Sequence, residues 1–472
     1  MEQMNVKTVK RALTECVRVY LEKDESGQYR LPQNKQRPVF LCGPAGIGKT
    51  ELAAQVAEEL ELGFVSYSLT HHTRQSAVGM PAMAEREFEG KTYRATEYTM
   101  SEIVDAVYGA MRAGHREGIL FVDEVNCVSE MLSAVMLQFL QSKCFGTHRI
   151  PEGWVIVTAG NPPEYNRSVR SFDAVTTDRL RTIEIAPDVN VWMEYADRIG
   201  VHPIVMSYVR DHPDSFYQYR REQGTVQIVT ARGWEDLSNA ILANERLGFP
   251  VDDNLVRQFI RMEETAVDFA NSYRFLRAVL TSEEIDAVLR GENIPDIAAK
   301  VAKTAQKRKH DAYQIRWFLM MLFLSKLRAM AAPVAAGWKT GKRGDTQGSG
   351  TGDGEADGQQ EDCGNPDQAD GQQGVRGSLD QAAGVPEDLL RSLDEWHVSL
   401  RNVLQFLTFL FQEGSEMEYF ISALCTDRRT GYLLALKGND SFRQIAAQMN
   451  RIDGKQTLAR EMKKLAAEEG KE

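Results

Sequence analysis

The sequence predicts an α/β fold: a P-loop core with a parallel sheet flanked by helices, followed by an α-helical lid and further helical C-terminal regions. Three observations carry that prediction. The stretch Gly43–Thr50, GPAGIGKT, matches the pattern G-x-x-x-x-G-K-[S/T] without a mismatch, between a strand-like run, Pro38–Cys42, and a helical pattern, Glu51–Leu60. A second apolar strand, Ile119–Val122, ends in the carboxylates Asp123 and Glu124. A third, Trp154–Ala159, has Asn161 just past its end. Parallel strands bring their C-terminal ends to one edge, so these three loops are expected together.

The chemistry of those loops follows from their residue types. Gly43, Gly46 and Gly48 let the backbone turn so that successive N–H groups face phosphate oxygens, and the helix that follows adds the positive end of its dipole. Gly43, Pro44, Ala45, Gly46, Ile47, Gly48, Lys49 and Thr50 are therefore the candidate ATP-binding loop. Lys49 is expected to reach the β- and γ-phosphates, and Thr50 to offer its hydroxyl to Mg²⁺. Asp123 is expected to hold that Mg²⁺ through its water shell, with Glu124 orienting and polarising the attacking water. A strand that simply meets solvent at an acidic turn explains the same carboxylates, but the P-loop upstream weighs against it. Asn161 keeps two readings, an amide that holds the water and a turn former before Pro162 and Pro163.

Along the chain, Val6, Val9, Leu13, Val17 and Tyr20 recur at helical spacing, predicting an amphipathic helix over 5–22 within a lead-in, 1–36. The α/β core is set at 37–190. In it Gly63–Leu69 alternates like a strand and is followed by the polar run His71–Gln75. Phe88–Tyr93 reads as a small hairpin, Ser101–Ala113 and Ser129–Ser142 as helices, Lys143–Pro151 around Gly146 as a second hairpin, and Thr182–Ile185 as a strand. Helical periodicity then returns at Trp192, Tyr195 and Ile199, at Ile204–Val209, at Ala231–Leu247 and at Leu255–Met262, which defines a helical region at 191–265. Arg232 opens its third helix. A cation there opposes the helix dipole, so the position favours nucleotide binding over a structural role.

Residues 266–340 continue as a helical extension, in which Lys300, Lys303, Lys307, Arg308 and Lys309 read first as a solvated face. Gly341–Gly377 is rich in Gly, Asp and Gln with almost no large apolar residue, so 341–385 is expected to be a flexible acidic linker. Beyond it, 386–472 regains helical period at Trp396, Leu400, Val403, Leu404, Leu407 and Leu410, as a helical module whose role the sequence leaves open.

Composition bounds the function. A chain of 472 residues is too long for one core and suggests about three folding units. Hydrophobic residues at 43% and charged residues at 26% are those of folded globular protein. The net charge of −11 argues against non-specific coating of nucleic acid. Cysteines at 16, 42, 127, 144, 363 and 425 form no C-x-x-C pair and have no His at zinc spacing, so they read as free thiols of a reducing compartment. The N-terminus lacks the apolar core of a signal peptide, and the most apolar run, Trp317–Leu324, falls short of the roughly 20 residues that a bilayer span needs. A cytoplasmic protein without membrane association is the resulting expectation.

GPAGIGKT at 43–50, ILFVDEVN at 119–126, TAGNPPEYN at 158–166, TTDRLR at 176–181 and VTARGWEDLS at 229–238 together resemble the AAA+ ATPases, and within them the MoxR-like group. The resemblance covers residues 5–265 or so. It implies a P-loop AAA+ core in which Asn161 is the sensor-1 residue, Arg179 the arginine finger and Arg232 the sensor-2 residue, with the hairpin near Gly146 preceding sensor 1. It also implies ATP hydrolysis with Mg²⁺, a homo-oligomeric, hexameric ring, and action on a partner protein carrying a von Willebrand factor A domain. Physically, an arginine finger must protrude from one subunit toward a phosphate held by its neighbour. Thr176–Arg181 supplies such an edge with two arginines, Arg179 and Arg181. Asp178–Arg179 fits the family pattern, and a solvated charge is the plain alternative for either.

Two other functions compete. A nucleotide-gated scaffold with little turnover would be marked by loss of the catalytic carboxylate, and Glu124 is present. A motor acting on nucleic acid sits poorly with the acidic charge and with the lack of a nucleic-acid module.

Overall fold

The structure, a computed structural model, describes residues 3–69, 79–145, 148–165, 169, 172, 174–222, 225–308, 311–344, 386–411 and 415–436. It divides into two compact units, Met1–Ile199 with His212–Val267, and Gly200–Asp211 with Asp268–Glu472.

The strands, all in the first unit, are β1 Val39–Cys42, β2 Gly63–Ser68, β3 Pro81–Phe88, β4 Lys91–Tyr98, β5 Gly118–Asp123, β6 Cys144–Phe145, β7 His148–Arg149, β8 Trp154–Gly160, β9 Arg181–Glu184, β10 Gln218–Glu222 and β11 Thr225–Val229. Five of them form one parallel sheet in the order β2-β5-β8-β1-β9. The middle strands are continuous apolar runs because both faces are covered. On one face Val39, Leu41, Ile119, Phe121, Val155 and Val157 pack against α1, Val6–Leu21, and α2, Lys49–Glu59. On the other, Phe40, Leu120, Val122 and Ile156 pack against the helices Glu102–Arg112 and Glu130–Ser142. The alternation of β1 thus splits into two cores. Helix α1 starts where the Asn5 side chain accepts from the Thr8 amide at 3.0 Å, a cap that satisfies one of its free donors. Of its expected stripe Val9, Leu13, Val17 and Tyr20 are buried and Val6 is half-buried, and Cys16 joins them.

Register decides where the loops emerge. Cys42 pairs with Gly160, Val122 with Thr158, and Ser68 with Asp123, so β1, β8 and β5 end at one level.

Some local expectations need correction. The small hairpin read at Phe88–Tyr93 is a ribbon of two eight-residue strands, β3 and β4, turning through Glu89 (φ 48°) and Gly90 (φ 76°), the paired positive φ values of a tight hairpin. The second hairpin is β6 with β7; its tip, Gly146–Thr147, and the run His71–Gln75 lie outside the described residues. The lid region is not helical throughout, because β10 and β11 form an antiparallel hairpin ahead of the helix Ala231–Leu247. The β-branched run Thr225-Val-Gln-Ile-Val was the signal for it.

The second unit is helical. Helix Pro203–Asp211, read from sequence as part of the lid, has Pro203 to Val209 buried here, and Ser207 donates to the Gln314 carbonyl at 2.8 Å. Helix Ala312–Gly344 is the axis of this unit. Its portion Ala312–Gly337 is 26 residues long and apolar enough by length and composition to cross a membrane, well beyond the run Trp317–Leu324; 56% of its most apolar window is buried in the protein. Ser325 and Lys326, which interrupt that run in sequence, fall on its exposed side. Helices Glu387–Leu410, Ser415–Thr426 and Arg428–Leu436 share this core, with the Trp396 indole donating to the Leu327 carbonyl at 2.8 Å. In the basic stretch Lys300 pairs with half-buried Glu284 at 2.7 Å, and Lys309 is outside the described residues. The expected linker 341–385 begins inside the long helix, 341–344, and its remainder lies outside the described residues, as does 437–472.

Candidate nucleotide site

The site is built where β1, β5 and β8 end. After β1 the chain reverses through Gly46 (φ 72°) and Gly48 (φ 91°), left-handed values that a side chain would strain, and Gly48 stands at the N-terminal cap of α2. That turn places Lys49 and Thr50 in the first turn of the helix, where the dipole adds positive potential. The Lys49 ammonium donates to the carbonyls of Gly43 at 2.7 Å and Pro44 at 3.0 Å, and to the side-chain oxygen of Asn161 at 3.0 Å. Burial pulls it down to about 8, while the charge of Asp123 works to keep it protonated.

Thr50 Oγ1 donates to Asp123 Oδ2 at 3.3 Å, and the other oxygen of Asp123 accepts from the Glu124 amide at 2.8 Å. Glu124 leaves the strand in the left-handed region, φ 56°, a conformation that costs a non-glycine residue about 1 to 3 kcal/mol and persists only when its surroundings enforce it. Here the enforcement is visible. The Val125 amide donates to the Ala159 carbonyl at 3.0 Å and the Cys127 amide to the Glu124 carbonyl at 2.9 Å, pinning both sides of the turn.

Asn126 was quoted in the strand motif without a role. It is 6% exposed, and its amide donates to the main-chain oxygen of Asn161 at 2.9 Å. Gly160, the residue before, must be a glycine: a Cβ there would sit 2.3 Å from the Asn126 side-chain oxygen. One asparagine thus holds the backbone of the other, whose own oxygen meets Lys49.

Arg232 also comes to this loop. Its amide donates to the Gly46 carbonyl at 3.2 Å, its side chain is exposed, and its charge is one of the influences lowering Lys49. The helix it opens is capped by Thr230, whose hydroxyl accepts from Gly233 at 3.0 Å. From the same segment Tyr217 donates its hydroxyl to the Ala45 carbonyl at 2.9 Å, a contact whose trace in the sequence is no more than an aromatic in a polar run.

Residues 33–163 match the family model described as AAA domain. The core is an AAA-type P-loop domain. The match takes in the P-loop, both carboxylates and Asn161, and its sheet and flanking helices are those of a P-loop AAA+ core with helical regions following it. A solved structure of a proposed ATPase from Cytophaga hutchinsonii aligns with 14% identity over 50% of this chain and 58% of that one, at a TM-score of 0.27, below the level of a shared overall fold. No protein of curated function matches the chain.

The two arginines beyond the AAA match have different settings. Arg179 ends the helix Ala174–Arg179 and is exposed, with no ion pair or hydrogen bond engaging it among the described residues. Arg181 begins β9 and is also exposed; burial pushes up the Cys16 thiol of α1, and the nearby Arg181 partly offsets that rise. Among the described residues no three His, Cys, Asp or Glu side chains gather as a metal cluster.

Proposed function

We propose that the protein is an ATP-hydrolysing ring motor of MoxR type that remodels or activates a partner protein. The observation that carries this reading is the convergence of Lys49, Thr50, Asp123, Glu124 and Asn161 on one sheet edge, from three loops spread over more than a hundred residues of chain.

In this reading the amides of 43–50 and the Lys49 ammonium bind the phosphates of ATP, giving a fixed set of donors for the charge that develops on transfer. Asn161, already bonded to Lys49, stands by the terminal phosphate. Asp123, bonded to Thr50, serves the metal, which leaves Glu124 beside it as the acid that orients the attacking water. Thr50 and Asp123 suit Mg²⁺, a hard cation that takes oxygen ligands and relies on substrate phosphates and water for the rest. Bound there, the ion would neutralise phosphate charge.

Arg179 is the proposed finger, acting on a neighbouring subunit's nucleotide. Its exposure at the end of the helix Ala174–Arg179, with no partner among the described residues, and its place in Asp178–Arg179 support that choice over Arg181, whose charge acts on Cys16 of its own chain. A hexameric ring, a von Willebrand factor A domain partner and a cytoplasmic setting complete the proposal; all described cysteines are free, in keeping with a reducing compartment.

Glu124→Gln tests the reading. The amide keeps the shape but cannot polarise water, so ATP affinity should stay near normal while Mg²⁺-dependent turnover falls by at least about 10²-fold. Turnover near wild type would place the base elsewhere and sink the assignment.

A further inference from the structure

A P-loop binds phosphate with N–H groups turned inward, which turns its carbonyls outward, and each outward carbonyl needs a donor if the turn is to hold its shape. The donors here come from two sources. Lys49 serves Gly43 and Pro44 from inside the loop, whereas Ala45 and Gly46 are served from the segment 217–232: Tyr217 Oη donates to the Ala45 carbonyl at 2.9 Å and the Arg232 amide to the Gly46 carbonyl at 3.2 Å. Gly46 also lies so close to Thr230 that a Cβ on it would stand 2.9 Å from the Thr230 Cβ.

The Tyr217 ring is itself braced. Tyr165, four residues past Asn161, meets it edge-on with ring centres 6.2 Å apart, and lies 4.8 Å from Tyr219 of β10. Burial and the neighbouring tyrosines push the Tyr217 phenol up, so at neutral pH its hydroxyl remains a donor. Tyr219 provides an internal contrast: its hydroxyl is buried with no hydrogen-bond partner among the described residues.

We infer that Tyr217 is a positioning residue of the phosphate site, holding the Ala45 carbonyl outward so that the P-loop amides stay aimed at phosphate. Tyr165 braces it from the loop that carries Asn161. This rests on the reading of 43–50 as an ATP phosphate cradle. The hydroxyl never touches the nucleotide, so its loss weakens binding of every phosphate chain alike and leaves the reacting groups in place. It therefore raises KM with little change in kcat.

The experiment compares Tyr217→Phe with Tyr219→Phe in the full-length chain, each removing one hydroxyl from the same segment. Binding of ATP, ADP and inorganic tripolyphosphate is measured by calorimetry, with KM and kcat for ATP and the melting temperature alongside. Tyr217→Phe should weaken all three ligands by about 3- to 10-fold, the range for one neutral hydrogen bond, with a matching rise in KM and kcat within about twofold. Tyr219→Phe should leave all three affinities unchanged. Equal affinities in Tyr217→Phe and wild type would overturn the inference, as would loss for ATP with tripolyphosphate unaffected, which would move the contact's influence to the nucleoside. If Tyr217→Phe melts substantially lower than wild type, Tyr165→Leu takes its place: it removes the brace and leaves the hydroxyl, and unchanged tripolyphosphate affinity there overturns the inference. A wild-type chain that binds neither ATP nor tripolyphosphate would instead refute the phosphate cradle itself.

Discussion

At the phosphate edge of the first unit, polar groups meet from distant parts of the chain: Lys49 with Asn161, Thr50 with Asp123, the Asn126 amide with the Asn161 main chain, Tyr217 with Ala45. The helical second unit behaves otherwise. Around Trp317, Phe323, Trp396, Phe406 and Phe420 its interior is large apolar side chains, and Gln314 Nε2, Trp317 Nε1 and His397 Nε2 are buried without hydrogen-bond partners among the described residues. A buried unpaired donor costs about 1 to 3 kcal/mol, which a large core can absorb, as the first unit also does at Trp154, Trp192 and Tyr219, whereas Lys49, Thr50 and Asn126 at the P-loop edge are all paired. The contrast teaches that substitutions at the edge should change kinetics at constant stability, and substitutions in the bundle should change stability at constant nucleotide affinity.

The sharpest break in that contrast comes from Arg179. If Arg179 is the finger proposed above, Arg179→Ala should bind ATP normally yet hydrolyse it slower by roughly 10³- to 10⁵-fold, the range for arginine fingers, while Arg181→Ala should keep most turnover. Mixing Arg179→Ala with Glu124→Gln subunits should restore activity, because one retains the pocket and the other the finger. Mixed oligomers confirmed by mass but without activity would discard a shared site.

On the other side of the comparison stands Trp396, fully buried and bonded to Leu327. Trp396→Ala should cost about 3 to 5 kcal/mol in unfolding free energy, measured by denaturant titration, with the ATP affinity of the folded protein unchanged. A tenfold loss of affinity without a stability change would erase the distinction between the two regions.

The edge was legible in the sequence because its constraints are local. GPAGIGKT must turn and cap a helix within eight residues, and Ile119–Asp123 must run buried and end charged, so the motif and its flanks determine each other. What stayed hidden depends on partners remote in sequence. Asn126 acquires its role only when residue 161 arrives beside it, and Tyr217 only when Ala45 does. The helix Pro203–Asp211 has the same periodicity whether it packs in a lid or on Ala312–Gly344, and periodicity does not name the partner. The apolar run counted from sequence stops at Ser325 and Lys326, but on a helix these occupy one exposed face and interrupt nothing. The positive φ at Glu124 was likewise invisible, since glutamate is not a residue that announces one, whereas the turn at Glu89 fell inside the hairpin read at Phe88–Tyr93.

The central claim, that 43–50 is an ATP phosphate cradle centred on Lys49, is tested most directly by calorimetry of ATP binding to Lys49→Ala against the wild-type chain. Lys49 is the cation hydrogen-bonded at the junction of the P-loop and Asn161, and alanine leaves the helix start intact. The account predicts measurable binding to wild type and none to the variant, with equal melting temperatures in the absence of nucleotide. ATP binding to Lys49→Ala at wild-type strength would contradict it.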